Sequence, residues 1–173
     1  MYTARCTRKV LEALHLAAVE MDQGPSTALG DWYVNFIHTR KHRLVHFVSD
    51  RSLLSVVVPV KTLKTALDRH VLSLRDLLGA LGVKPTVIQA EMVEMEQRAV
   101  AKTSSRSVLA SMRDLALNAR WILERTPGIS PAEVSLELSE IPCGPLGMRV
   151  PAEAAMALLL EHHSGRSDGL RGA

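Results

Sequence analysis

A run of basic residues between two apolar segments is the first group whose chemistry suggests a function. The chain reads Arg40-Lys41-His42-Arg43, and Arg51 follows the next apolar segment. Cations at the tip of a β-hairpin suit contact with phosphate groups, and such a ribbon could enter a nucleic-acid groove. The commoner alternative is a solvated turn whose cations discourage aggregation between strands. The aromatic residues that interleave with cations in single-strand binders are absent from this run.

Ser105, Arg106 and Ser107 form a second candidate anion site. They stand where a helix is predicted to begin, and its free N–H groups and dipole favour negative charge there. The alternative is ordinary helix capping, for which serine is a preferred residue. Together with the hairpin cations, this segment gives the best indication of function in the sequence.

A third group follows Gly30 and consists of Asp31, Trp32, Tyr33 and Asn35. On a strand, Tyr33 and Asn35 share one face and Trp32 the other, so a pocket with Asp31 as acid or base is conceivable. The structural alternative is commoner, because buried Trp and Tyr side chains anchor small sheets.

The remaining reactive residues do not indicate a metal or a cofactor. His38, His42 and His46 are spaced by four, but a hairpin would place His38 and His46 on different strands and His42 in the turn. Phosphate-binding glycine loops, the dinucleotide fingerprint and the Gly-x-Ser-x-Gly elbow are all missing from the sequence. We therefore predict no metal and no cofactor.

Bulk composition predicts one globular domain. The chain has 173 residues, 47% of them hydrophobic, and a net charge of +3 that is too small to identify a nucleic-acid binder. We expect an α+β domain over residues 1–163 and a flexible tail over 164–173. Two distant cysteines, no secretory signal and no apolar run of membrane-spanning length favour a cytoplasmic protein with reduced thiols and no membrane contact.

The fold predicted to position these residues is α+β, because a cluster of strands precedes a series of helices. Strands are predicted at Tyr2–Cys6, Trp32–Ile37, Leu44–Val48, Leu53–Val58 and 97–103. Helical periodicity predicts helices after Thr7 (as far as Met21), Thr62, Lys84, Ser105, Ser130 and Pro151. We expect an antiparallel β-meander sheet of about four or five strands, with helices packed mainly on one face. The helices at 63–81 and 108–122 should form one core with Trp32, Val34, Phe36 and the strand at 53–58.

Several short stretches, including Leu29-Gly30-Asp31-Trp32-Tyr33, Ser105-Arg106-Ser107-Val108-Leu109 and Pro142-Cys143-Gly144-Pro145, resemble a family of uncharacterised bacterial proteins with a domain of unknown function. The resemblance covers most of the chain, from Tyr2 to about Leu160. Two positions depart from the family pattern, Ala110 where glycine is usual and Arg113 where asparagine is usual. The resemblance implies a bacterial cytoplasmic protein and points to the same two segments as the residue chemistry.

Three functional hypotheses follow. The first is a non-enzymatic binding protein that contacts nucleic acid or another anion through Arg40, Lys41, Arg43 and Arg51. The second is a protein-interaction module, such as one member of a regulatory or toxin–antitoxin-like pair, with an exposed apolar helix face. The third is a hydrolase or nuclease using Asp31, Tyr33, Arg106 and Ser107, which requires those side chains to converge in a pocket.

Overall fold

The computed structural model describes residues 1–15, 17–18, 24–40, 43–60 and 63–169 of the chain. Its strands are β1 (Tyr2–Cys6), β2 (Trp32–His38), β3 (Arg43–Ser49), β4 (Ser55–Pro59) and β5 (Arg98–Lys102). Its α-helices are α1 (Arg8–Leu14), α2 (Leu63–Ala80), α3 (Pro85–Glu94), α4 (Arg106–Arg125), α5 (Pro131–Ser139) and α6 (Pro151–Gly169). A short 3-10 helix, Gly144–Leu146, precedes α6. The predicted α+β class is confirmed.

The five strands form one mixed sheet in the order β4-β3-β2-β1-β5. Strands β2, β3 and β4 pair antiparallel in sequence order, whereas β1 runs parallel to both β2 and β5. The prediction of a purely antiparallel sheet is therefore wrong. The physical reason lies in the connections, because a helix between β1 and β2 lets the chain return and start the next strand in the same direction. The carboxyl ends of β1, β2 and β5 consequently lie at one edge of the sheet, the carboxyl edge, and their first residues at the opposite amino edge.

Helices cover both faces of the sheet, so the prediction that they pack mainly on one face is also wrong. Trp32, Val34 and Phe36 belong to a cluster with residues of α1, α2, α3 and α6. Tyr33 and Ile37, on the other face of β2, pack with α4 and α5. Alternation places apolar side chains on both faces of β2, and each face needs a cover that excludes water. The helix predicted at 108–122 thus packs on the face opposite to Trp32.

The helix boundaries differ from the predictions at both ends of the chain. Helix α1 ends at Leu14, and His15 adopts a left-handed conformation with φ 52°, so Ala17 and Ala18 lie outside the helix that was predicted to reach Met21. Helix α6 extends to Gly169, beyond residue 163. Helix α5 begins after Ser130, as predicted, and Ser130 and Glu133 form a capping box by exchanging side-chain and backbone hydrogen bonds.

Helix α5 closes the outer edge of β4. The backbone N–H of Val57 donates to Ser135 Oγ at 2.9 Å, and that hydroxyl donates to the Pro131 carbonyl at 2.9 Å. A buried strand edge needs such partners for its backbone groups. The strand that carries much of the apolar core is thereby protected from pairing with another chain.

Candidate functional site

Asp31 joins two strands at the amino edge of the sheet. Its carboxylate accepts the Thr3 N–H at 2.9 Å and pairs with Arg5 Nε at 2.7 Å, and its side chain is almost fully buried. Its own backbone N–H donates to Asp50 Oδ1 at 3.0 Å. Each oxygen of Asp31 thus has a structural partner, which accounts for an acidic residue directly before β2.

The loop before Asp31 is fixed by two charged side chains, Arg51 and Glu91. Arg51 Nη1 donates to the Thr27 and Ala28 carbonyls at 3.2 and 3.3 Å. Glu91 accepts the N–H groups of Ala28 and Leu29 at 2.9 and 3.1 Å. Between them Gly30 has φ +77°, and a Cβ at this position would lie 2.1 Å from the Asp50 carboxylate. Only glycine combines this conformation with that close approach.

The carboxyl group of Asp50, at the amino edge, has a raised pKa. Burial raises the pKa of its carboxyl to about 6, and the nearby negative charge of Asp31 contributes in the same direction. The hydrogen bond from the Asp31 N–H and the positive charges of Arg51 and Arg5 act in the opposite direction. Because all its contacts serve the loop, we assign Asp50 to the architecture of the amino edge.

Trp32 is a core residue. It is fully buried, and its ring meets the imidazole of His70 edge-on at 4.4 Å, while Phe47 stacks on that imidazole at 4.2 Å. Burial lowers the pKa of His70 to about 3, so the imidazole is neutral. Trp32 therefore fits the structural alternative, in which a buried Trp side chain anchors the sheet.

Tyr33 connects two of the segments that the sequence singled out. Its hydroxyl lies 3.1 Å from Ser104 Oγ and accepts the Ser105 N–H at 2.9 Å. Ser105 is the N-cap of α4, since its hydroxyl accepts the Val108 N–H. The hydroxyl of Ser105 therefore acts in capping, whereas Arg106 and Ser107 are exposed on the first turn of α4.

The residues of the enzyme hypothesis do not share a pocket within the described part of the chain. Asp31 binds Thr3 and Arg5, whereas Tyr33 binds Ser104 and Ser105. Among the described residues, the side chains of Arg106 and Ser107 form no hydrogen bond with Asp31 or Tyr33. Nothing in this arrangement provides an acid or base beside a nucleophile.

The hairpin cations occupy the carboxyl edge, where β2 ends. Arg40 and Arg43 are exposed, and the Arg43 guanidinium lies 4.7 Å from the centre of the Phe36 ring, which holds it against the sheet. Lys41 and His42 lie outside the described residues. Arg51, predicted to act with this group, is at the amino edge, roughly 20 Å away along β3. Its role in fixing the 27–31 loop separates it from the other hairpin cations.

The pKa of His38 shows which cations lie near the end of β2. Partial burial lowers its pKa, and the positive charges of Arg43, Lys9 and Arg120 lower it further. These three residues belong to the hairpin, α1 and α4, so three elements bring positive charge to one place. We call the surface formed by Lys9, Arg40, Arg43, Arg113 and Arg120 the basic edge.

Helix α4 supplies the part of this surface that the sequence reasoning missed. Arg106, Arg113 and Arg120 recur every seven residues, which places them about 10.5 Å apart along one stripe of the helix. The signal was present in the sequence, because the segment was already predicted to be helical. Arg113 and Arg120 also line a cleft of about 290 Å³. Its other walls are Thr7, Asn35, Phe36, Leu109, Met112, Ala116 and Leu117.

Asn35, predicted as a pocket residue, lies in this cleft rather than beside Asp31. Its Oδ1 accepts hydrogen bonds from the Thr7 hydroxyl at 3.1 Å and from the Phe36 N–H at 2.9 Å. With its oxygen occupied, the side chain has only its amide N–H groups left to offer. The cleft therefore combines hydrogen-bond donors with two guanidinium groups, and none of the described residues that line it is acidic.

Ion pairing differs between the basic edge and several arginines elsewhere in the described part of the chain. Five arginines elsewhere or on its margin form ion pairs: Arg5, Arg8, Arg75, Arg98 and Arg125. Among the described residues, none of the five cations of the basic edge pairs with an acid. Unpaired guanidinium groups in one cluster are suited to an anionic ligand.

The remaining candidates belong to the interior. His46 is buried and lies 3.0 Å from Ser55 Oγ, whereas His38 is exposed, so these two histidines do not meet. His42 lies outside the described residues. Cys6 and Cys143 are free and lie in the two different core clusters.

Across the residues that the structure describes, no helix has the length and apolarity needed to span a bilayer.

Comparison with known proteins gives one match. A family model described as a domain of unknown function, DUF6933, matches residues 3–154. Neither the curated proteins nor the solved structures contain a significant match. The matched region holds β2 to β5, all of β1 except Tyr2, and α1 to α5, including both edges described above. The chain therefore belongs to the DUF6933 family, and the predicted membership of a family with a domain of unknown function is confirmed.

Proposed function

We propose that this chain is a non-enzymatic binding protein that contacts the phosphate groups of nucleic acid through the basic edge. The observation that carries the proposal is the convergence of five cations from three elements without an acidic partner among the described residues. Clustered like charges repel one another, so the arrangement does not serve folding. A polyanion supplies the missing counter-charges.

The composition of the basic edge favours phosphate over a single carboxylate. Four of its five cations are arginines, whose planar guanidinium groups bind phosphate oxygens through paired hydrogen bonds. Arg113 and Arg120 lie about 10.5 Å apart along α4, a spacing that suits a ligand with repeated charges. Arg43, held on Phe36, needs less ordering on binding than a free arginine side chain.

Salt dependence tests this proposal. Anisotropy of a labelled oligonucleotide should show affinity that falls steeply with salt, because phosphate contacts release counter-ions. The double variant Arg43→Glu/Arg120→Glu should bind at least roughly 10-fold more weakly and lower the salt slope by roughly 2.

A matched control comes from α2. Arg69→Glu/Arg75→Glu changes the net charge by the same amount on exposed positions of another surface. It should retain most of the affinity. Equal losses in the two double variants would mean that only overall charge matters and would contradict a binding surface at the basic edge.

A second candidate function, a protein-interaction module, is favoured by a groove between α2 and α5. The groove has a volume of about 440 Å³ and is lined mainly by apolar groups, including Val57, Leu77, Pro131 and Leu136. Such a surface suits a protein partner. If this is the principal function, a partner purified from the native host should survive a salt wash and be lost in Leu136→Asp, while Arg43→Glu/Arg120→Glu retains it.

A further inference from the structure

Helix α4 exposes a tryptophan beside the arginines of the basic edge. Trp121 is 57% exposed and Leu117, one turn earlier, is 55% exposed. Helical spacing places both on the outer side of α4, together with Arg113 and Arg120. Two large apolar side chains exposed on one helix face indicate a contact surface.

The indole of Trp121 is held in position. The Arg125 guanidinium lies 4.3 Å from the centre of its ring, and Arg125 in turn bonds Glu137 Oε2 of α5 at 3.2 Å. A ring supported by a second helix loses little freedom when it binds. This chain of contacts therefore presents the indole as a rigid platform and not as a mobile surface side chain.

We infer that Trp121 and Leu117 form a base-stacking platform, which makes single-stranded nucleic acid the ligand of α4. This inference rests on the proposed function, since the phosphates must follow the neighbouring arginines. Proteins that bind single strands combine a positively charged track with aromatic side chains that stack on bases. Charge complementarity selects this occupant over an apolar protein segment, which would leave Arg113 and Arg120 without counter-charges.

Single strands are favoured over a duplex for a geometric reason. Bases in a duplex stack on one another, so their faces are not accessible to an indole on a helix surface. A single strand exposes those faces and can place a base on Trp121 while its phosphates reach the arginines. Arg120, adjacent to Trp121 in the chain, belongs to both surfaces.

Intrinsic fluorescence of the full chain tests the inference directly. The chain has two tryptophans, and Trp32 is fully buried, so quenching on binding should report Trp121. Oligothymidylate should quench the emission, whereas an abasic strand of equal length and charge should quench it less. Trp121→Ala should weaken binding of oligothymidylate roughly 10-fold and leave the abasic strand nearly unaffected. Trp121→Phe, which keeps an aromatic ring, should retain most of the affinity.

The outcomes separate the two proposals. If the wild-type chain binds neither strand at low salt, the proposed function and this inference both fail. If it binds both strands equally and Trp121→Ala changes neither affinity, the basic edge stands and the stacking platform is overturned. Preference for a duplex would also overturn it. A Trp121→Ala chain that binds oligothymidylate normally but loses a protein partner would assign the platform to that partner.

Discussion

At the amino edge of the sheet the charged side chains bind one another or the backbone, whereas at the basic edge the cations have no acidic partner among the described residues. Asp31 is paired with Arg5, and Arg51 is bonded to the carbonyls of the 27–31 loop. Lys9, Arg43 and Arg120 surround His38 without such partners. Both regions contain residues that looked functional in the sequence. The difference teaches that partnered charge at one edge maintains the fold, and it is the unpartnered charge at the other edge that our proposal assigns to a ligand.

The largest effect that tests this contrast should come from Gly30→Ala. Its backbone is left-handed, and the added Cβ would displace the Asp50 carboxylate and break the bond to the Asp31 N–H. We expect a loss of about 3 kcal/mol or more in the free energy of unfolding, or failure to fold. Urea denaturation measures it.

Gly128→Ala is the matched control. Gly128 has φ +86°, but nothing lies within 4 Å of an added Cβ. Its free energy of unfolding should fall only by the cost of placing alanine in a left-handed backbone conformation, about 1–2 kcal/mol. Similar losses at the two glycines would show that the contacts of Asp50 do not hold the amino edge together.

A second effect separates stability from binding. Asp31→Ala leaves the Thr3 N–H and Arg5 without their partner, so the free energy of unfolding should fall by about 2 kcal/mol. Oligonucleotide affinity at low temperature should stay within about twofold, since Asp31 lies at the opposite edge. Arg120→Ala should do the reverse, with a stability change below about 0.5 kcal/mol and weaker binding. If Asp31→Ala also abolished binding in the folded protein, the two edges would not be independent.

Local sequence patterns predicted the elements well and their assembly less well. Tyr2–Cys6 and the capping box at Ser130 follow from alternation and capping chemistry, which act over a few residues. The parallel pairing of β1 with β2 and β5 depends on contacts between distant segments, and no local pattern encodes it. The same limit explains why α4 was assigned to the wrong face of the sheet.

The site was predictable only in part, for a related reason. Arg40 and Arg43 stood out because they are consecutive in sequence with other cations, whereas Lys9 and Arg120 come from distant elements. Arg51 looked equivalent to Arg43 because both flank β3, yet they are at opposite ends of that strand. The heptad spacing of Arg106, Arg113 and Arg120 could have been noticed, but the proximity of that stripe to the hairpin required the fold.

A smaller effect at the amino edge is the change of stability with pH that Asp50 causes. Burial and Asp31 raise the pKa of Asp50 to about 6 from 3.8, so the native state binds its proton more tightly than the unfolded chain. Its contribution to stability therefore falls as pH rises between about 4 and 6. Asp50→Asn keeps an oxygen that can accept the Asp31 N–H but carries no charge. We expect it to be more stable than wild type at pH 7.5 by roughly 1 kcal/mol, after allowance for solvent screening, and equal to it below pH 4.

Thermal unfolding across that pH range measures the difference between the two proteins. Asp76→Asn is the control, because Asp76 is exposed and pairs with Arg75 at the surface. It should show no gain at neutral pH. A constant offset between Asp50→Asn and wild type at every pH would mean that the substitution acts through packing and not through the charge.

The smallest effect concerns His38, which reports the unpaired charge of the basic edge without any ligand. Burial lowers its pKa, and Arg43, Lys9 and Arg120 lower it further, so Arg120→Gln should raise that pKa at low salt and raise it less at high salt. NMR titration measures it, with the His38 signal assigned by its loss in His38→Asn. Arg75→Gln, on another surface, should leave it unchanged. Binding of oligonucleotide should shift the pKa of His38 upward, because phosphates at the basic edge neutralise the cations that depress it. An unchanged titration on saturation would place the bound strand away from this surface, whatever its affinity.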